Sequence, residues 1–235
     1  MSNTINEVLA SPGRSETAIT FVSQTPQPVS YAELWSRIRG NARRFAALGV
    51  GRCDRVAIAM ESTVEHVVAL LAVMALGAMP LSLKPRRGAA ADYERHFVQL
   101  CRRFNVRFSY GTLPACDGVT AIQWDPDAQS DDASIVAEVD REDVAFVQFS
   151  SGSLGDPKAV PIRHAMLIEN LLSHGATDGR QADSMGYNFL PLSHDMGLVG
   201  GLFGALLEQH PLSLSSVQEF LRRPVEVFRR HEREK

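Results

Sequence analysis

The run from Arg55 to Leu83 constrains the fold more than any other part of the sequence. "RVAIAM" (Arg55 to Met60) is a short apolar run of the kind found in strands buried on both faces. Ser62, with Glu65 three residues later, forms a capping-box pattern that opens a helix, and Gly77 closes it. "MPLSL" (Met79 to Leu83) then returns to strand character. A strand, a helix and a second strand at such short spacing imply parallel pairing, with the helix packed on a sheet face.

The same alternation extends in both directions. "AITFVS" (Ala18 to Ser23) reads as a strand. Ser30 with Glu33 makes a second capping box for a helix that Gly49 ends, with Leu34, Ile38, Phe45 and Leu48 at helical spacing. Downstream, Ala91 to Phe104 reads as helix and Val106 to Tyr110 as strand. "DPDAQSDDAS" (Asp125 to Ser134) is acidic and rich in turn formers, so it reads as a surface connection. "DVAFVQFS" (Asp143 to Ser150) is another buried strand. "AVPIR" after Lys158 leans to strand, His164 to Gly175 is helical, and Tyr187 to Leu192 is a strand. "SHDMGLVGGLFGALLEQ" is a turn into a helix, "PLSLSS" a strand, and the last segment a helix with Pro224 at a kink or a new first turn. The fold class is α/β, parallel-sheet layers with helices on both faces. Residues 1–140 are expected to form a first subdomain and residues 141–235 the start of a second.

Hydrophobic residues make up 45% and charged residues 22%, proportions of a folded globular chain and not of a disordered one. A net charge of -3 gives no overall attraction to nucleic acid or anionic membrane. The basic clusters Lys84 to Gly88 and Arg229 to Lys235 read as solvated surface. The longest apolar run, Val67 to Leu81, is shorter than the ~20 residues a membrane span needs, and Gly77 and Pro80 break it. Cys53, Cys101 and Cys116 lack the spacing of a disulfide framework or a metal site, so no metal ligands are assigned and a reduced, cytoplasmic setting is expected. "MSNTINEVLASPGR" has neither the basic nor the apolar region of a signal peptide.

The chemistry concentrates in "VQFSSGSLGDPKAVPIR" (Val147 to Arg163). Glycines permit sharp bends and close approach of a ligand, consecutive amides and hydroxyls can converge on one anion, and Lys158 adds a mobile positive charge. Oligophosphate suits that combination; a tight hairpin with a solvated lysine is the plainer alternative. The loop is not a Walker loop, because Pro157 stands where the second glycine belongs and a strand-like segment follows Lys158. The dinucleotide-binding glycine pattern is absent as well.

"FSSGSLGDPKA" (Phe149 to Ala159) resembles the signature loop of the adenylate-forming enzymes, which comprise acyl-CoA synthetases, fatty-acyl-AMP ligases and the adenylation domains of peptide synthetases, and whose pattern is roughly [YF]-T-S-G-[ST]-T-G-x-P-K-G. "NFLPLSHDMGLVGGL" (Asn188 to Leu202) is similar to the acyl-site segment of the fatty-acyl-AMP ligases. "LRRPVEVF" near the end and Ser30 to Ile58 near the start resemble further segments of that family, so the likeness spans nearly the whole chain.

The resemblance implies ATP-dependent activation of a carboxylic or fatty acid to an acyl-adenylate, with Mg²⁺ neutralising phosphate charge. It makes Ser150, Ser151, Gly152, Ser153, Gly155 and Lys158 the phosphate cradle. It puts His194 and Asp195 at the mouth of the acyl pocket, with Met196, Gly197 and Gly200 lining it. Taken alone, Asp195 also reads as a helix N-cap and His194 as an exposed turn residue. Coenzyme A or an acyl carrier protein is the implied acceptor. Leu154 departs from the pattern where the family has threonine, and Ala159 where it has glycine. Family members continue past the acyl-site segment with the adenine pocket, the Mg²⁺-binding acid and a mobile C-terminal domain that carries the catalytic lysine. The chain is therefore expected to be an N-terminal portion, inactive alone, that pairs with a missing C-terminal portion or self-associates. The alternative is a non-catalytic relative acting as an acyl- or protein-binding module.

Overall fold

The computed structural model describes residues 2–22, 26–86, 90–150, 158–177 and 185–225. Two sheets carry the architecture. The first is built from β1 (Ala18–Val22), β2 (Gln27–Ser30), β9 (Gly186–Asn188) and β10 (Leu212–Ser215), in the order β2-β1-β10-β9. The second holds β3 (Arg55–Ala59), β4 (Met79–Leu83), β5 (Phe108–Tyr110), β6 (Thr120–Ala121), β7 (Val144–Ser150) and β8 (Lys158–Arg163), in the order β6-β5-β3-β4-β7-β8. Pairing is parallel within β6-β5-β3-β4-β7 and within β1-β10-β9, and antiparallel only for the hairpins β1–β2 and β7–β8. Both sheets draw strands from either side of residue 140, so neither sheet stops at the expected subdomain boundary.

The helices among the described residues are α1 (Ile5–Ala10), α2 (Tyr31–Ala47), α3 (Val64–Ala75), α4 (Ala90–Phe104), α5 (His164–Thr177), α6 (Gly204–Glu208) and α7 (Val217–Arg222). Side chains alternate across the strands. Val56 and Ile58 enter a large core with α2, α3, α5 and the inward residues of the first sheet, while Ala57, between them, faces a smaller core under α4. α3 is buried at nearly every position, from Val64 through Ala75, as a helix covered on all sides must be.

Ser30 caps α2 as its sequence pattern requires, its hydroxyl accepting from the Glu33 amide at 3.2 Å. The Ser62–Glu65 box does not form. Thr63 stands at the N-cap of α3, and its hydroxyl pairs with Nδ1 of His66 at 2.7 Å instead of with a backbone amide. The acidic connection 125–134 runs into a short 3₁₀ turn, Ala133–Ile135. Buried Asn41 holds it down, donating to the Asp125 carbonyl at 3.1 Å and accepting from the Asp125 amide at 2.8 Å.

Candidate active site

The ends of the Ser/Gly stretch, Val147–Ser150 and Lys158–Arg163, pair as antiparallel strands of the β7–β8 hairpin. The register pairs Gln148 with Val160, Phe149 with Ala159 and Ser150 with Lys158, so the hairpin brings the backbone at Ser150 opposite exposed Lys158. Ser151, Gly152, Ser153, Leu154 and Gly155 lie outside the described residues. Ala159, where the family pattern has glycine, occupies a ladder position against Phe149, and a strand position gives no reason to require glycine. Pro161 is tolerated because β8 is an edge strand.

The second motif folds against the end of this hairpin. Gln148 is buried, and its Nε2 donates to the Ser193 carbonyl at 2.6 Å. Ser82, at the end of β4, donates to the Leu192 carbonyl at 3.4 Å. The C-terminal ends of two parallel strands thus hold residues 192 and 193, immediately before His194. Ligands of open α/β sheets gather at this end of the strands. The stacked rings of Phe146 and Phe203, with centroids 5.5 Å apart, tie β7 to the far end of the same segment.

His194 and Asp195 stand at the surface, the His194 Nδ1 2.5 Å from the Asp195 carboxylate. That carboxylate also accepts from the Met196 amide at 2.8 Å, so Asp195 serves as a helix cap as well. Residues Met196–Phe203 wind as a π-helix, not the α-helix their composition suggests, and α6 continues it. Rare π turns inside helices are frequent at functional sites. Met196 is 66% exposed. Gly197 is buried, and a β-carbon there would approach the Leu190 carbonyl oxygen to 2.8 Å. At Gly200 a β-carbon would meet nothing within 4 Å.

Sequence reasoning overlooked Gln148, Asn188 and Gly201. Asn188 is buried, donates to the Gly197 carbonyl at 2.9 Å and accepts from the Leu190 amide at 3.0 Å. Gly201 makes room for it: a β-carbon at 201 would come within 2.5 Å of the Asn188 Cγ. Gln148 had a readable signal, since it is a lone amide within an apolar strand run. Asn188 had none beyond its place before Pro191.

The AMP-binding enzyme family model matches residues 8–233. This chain belongs to that family. As an AMP-binding chain it is 34% identical over 197 residues to a 4-chlorobenzoate–CoA ligase of Arthrobacter sp, covering 76% of this chain and 36% of that protein. It is 31% identical over 238 residues to the long-chain-fatty-acid–AMP ligase FadD26 of Mycobacterium marinum, covering 89% and 40%. The chain therefore spans less than half the length of these curated relatives. The fold matches the fatty acyl-adenylate ligase from L. pneumophila, solved in complex with acyl adenylate and pyrophosphate, with a TM-score of 0.85 at 19% identity over 98% of this chain and 42% of that one. The adenylation domain of a keto acid-selecting peptide synthetase module matches equally well, with a TM-score of 0.85 at 17% identity over 99% and 46%.

Proposed function

We propose that this chain is the acid- and phosphate-binding portion of a ligase that activates a fatty or related carboxylic acid as its acyl-adenylate. The observation that carries this reading is the hydrogen bond from Gln148 to Ser193, because it sets the Ser/Gly hairpin beside the His194 segment. A reaction that joins a carboxylate to the α-phosphorus of ATP needs a phosphate cradle and an acid pocket side by side. Most of the rate gain in such transfers comes from positioning and charge stabilisation. On this reading Ser150, Ser151, Gly152, Ser153, Gly155 and Lys158 hold the β- and γ-phosphates. His194 and Asp195 flank the entering carboxylate, and Gly200, exposed at the surface, edges the entry for the acid's chain. Among the described residues no three His, Cys, Asp or Glu side chains form a group that could hold a metal. The acyl-adenylate would pass to coenzyme A or to a carrier protein.

The test is acid-dependent ATP–pyrophosphate exchange. The chain alone is expected to give none. Fused to the residues that follow the matched region in the Mycobacterium marinum ligase, it is expected to exchange. Lys158→Ala in that fusion should weaken ATP use more than acid binding. Acid binding without exchange, in a well-folded fusion, would replace this reading with that of an acyl-binding module.

A further inference from the structure

Of the 24 lysines and arginines only three are lysines: Lys84, Lys158 and Lys235. Two of these three stand at the same end of the second sheet. Lys84 directly follows β4, Lys158 opens β8, and β7 runs between those strands. Both side chains are exposed. Many arginines are ion-paired: Arg37 with Glu33, Arg52 with Asp143, Arg107 with Asp54 and Arg163 with Glu142. Among the described residues neither Lys84 nor Lys158 has an acidic partner.

Register and alternation put both lysines on one face. Ser82 lies beside Gln148, and Gln148 beside Val160. Ser82 and Gln148 reach the carbonyls of Leu192 and Ser193, so theirs is the face that carries the His194 segment. Lys84 lies two residues past Ser82 and Lys158 two before Val160, and residues two apart along a strand share a face. Continued by two residues, the β4–β7 register sets Lys84 level with Ser150, which pairs with Lys158. Neighbouring strands are ~4.8 Å apart, so the two lysine backbones lie roughly 10 Å from each other. Two flexible four-carbon stems can close that gap around one polyanion. The backbone that presents Lys84 is fixed on both sides. The Leu83 carbonyl accepts from the Met60 amide at 2.9 Å, and the Lys84 carbonyl from the Tyr93 hydroxyl at 3.0 Å.

On the phosphate-cradle reading of the Ser/Gly hairpin, we propose that Lys84 is a second phosphate-binding residue, and that Lys84 and Lys158 together clamp the oligophosphate of the nucleotide. Two like charges on one face repel, and an oligophosphate with its charge spread over many oxygens satisfies both. Lysine suits the task, because a compact ammonium on a mobile stem can follow a phosphate chain. Leu154 has no hydroxyl to offer where the family pattern has threonine, and Lys84 supplies a charge-assisted donor in its stead.

The full chain is acylated with limiting N-hydroxysuccinimidyl acetate, with and without inorganic tripolyphosphate, and mapped by peptide mass spectrometry. Tripolyphosphate is expected to protect Lys84 and Lys158 together and to leave Lys235 and the N-terminal amine as reactive as before. In titrations with the same probe, Lys84→Ala should bind roughly tenfold or more weakly while melting like the wild type. The acylation arm needs no substitution, so it decides even where a variant folds poorly. Protection of Lys158 alone, or Lys84→Ala that binds like the wild type, would overturn the proposal and leave the hairpin reading standing. Protection of neither lysine, or equal slowing of every amine, would overturn both.

Discussion

Two glycines three residues apart in the Met196–Phe203 helix should respond oppositely to one added methyl group. At Gly197 the new β-carbon would crowd the Leu190 carbonyl oxygen at 2.8 Å and the Leu190 carbonyl carbon at 2.9 Å. These are backbone atoms, held by the bonds from Asn188, and they have no rotamer by which to retreat. Overpacking of this kind costs ~1–3 kcal/mol, against the ~1 kcal/mol that alanine gains over glycine in a helix. Rigid neighbours favour the upper part of that range, so Gly197→Ala should destabilise the chain by about 1–2 kcal/mol. At Gly200 nothing opposes the methyl within 4 Å and the backbone is outside the left-handed region. Gly200→Ala should therefore stabilise by ~0.5–1 kcal/mol. For a chain of this size 1 kcal/mol moves the melting temperature by ~2–4 °C, so the two variants should differ by about 3–12 °C. Thermal melts and urea titrations of both variants check this. Equal melting temperatures would refute the close-approach argument. In the fusion enzyme Gly200→Ala should also shift preference toward shorter acids while folding normally.

Gln148→Leu removes the donor to the Ser193 carbonyl and should cost about 1–3 kcal/mol, with faster amide exchange confined to residues 190–196; unchanged exchange there would break the link between the two motifs. His164 is buried, and burial lowers its imidazole to about 4, despite the opposing Asp143 charge. It is neutral when folded and accepts from the Ile5 amide at 3.3 Å. The unfolded chain takes up this proton near 6.5, so stability present above that pH is lost as pH falls from 6.5 toward 4. His164→Gln should flatten the pH dependence of urea midpoints in that window, apart from the share of His66, which burial also lowers. Leu154→Thr in the fusion should raise exchange roughly tenfold or more, since a hydrogen bond to a charged group contributes ~1.5–3 kcal/mol; a clear loss would mean the loop serves another ligand.

Local signals were readable wherever the chain's own periodicity decides the outcome. β3, α3 and β4 follow from their apolar pattern, and Ser30 caps α2 as its sequence indicates. The signals fail where tertiary partners decide. Thr63, not Ser62, stands at the N-cap of α3, and its hydroxyl goes to His66 instead of to a backbone amide. The strand expected over Tyr187 to Leu192 ends at Asn188, whose side chain bonds the Leu190 amide and turns the chain toward Gly197. The π-helix could not be read from a glycine-rich apolar run, which suits an α-helix equally well. The two motifs were legible as residue strings, but the Gln148 hydrogen bond that makes them neighbours depends on a fold that no local pattern records.

The pairing of β1 with β10 sets a timetable for synthesis. Ile19 lies against Leu212 and Val22 against Ser215, and the Tyr31 hydroxyl donates to the carbonyls of Ala205 and His210. Until those late residues leave the ribosome, β1 has only β2 beside it, and a lone two-stranded hairpin is marginal in water. Translation at ~5–20 residues per second spans the intervening stretch of about 190 residues in roughly 10–40 s. Throughout that interval Ile19, Phe21 and the buried face of α2 lack their final cover. A nascent chain of this kind is a natural client for a holdase, and synonymous codons that slow its second half would lengthen the exposure.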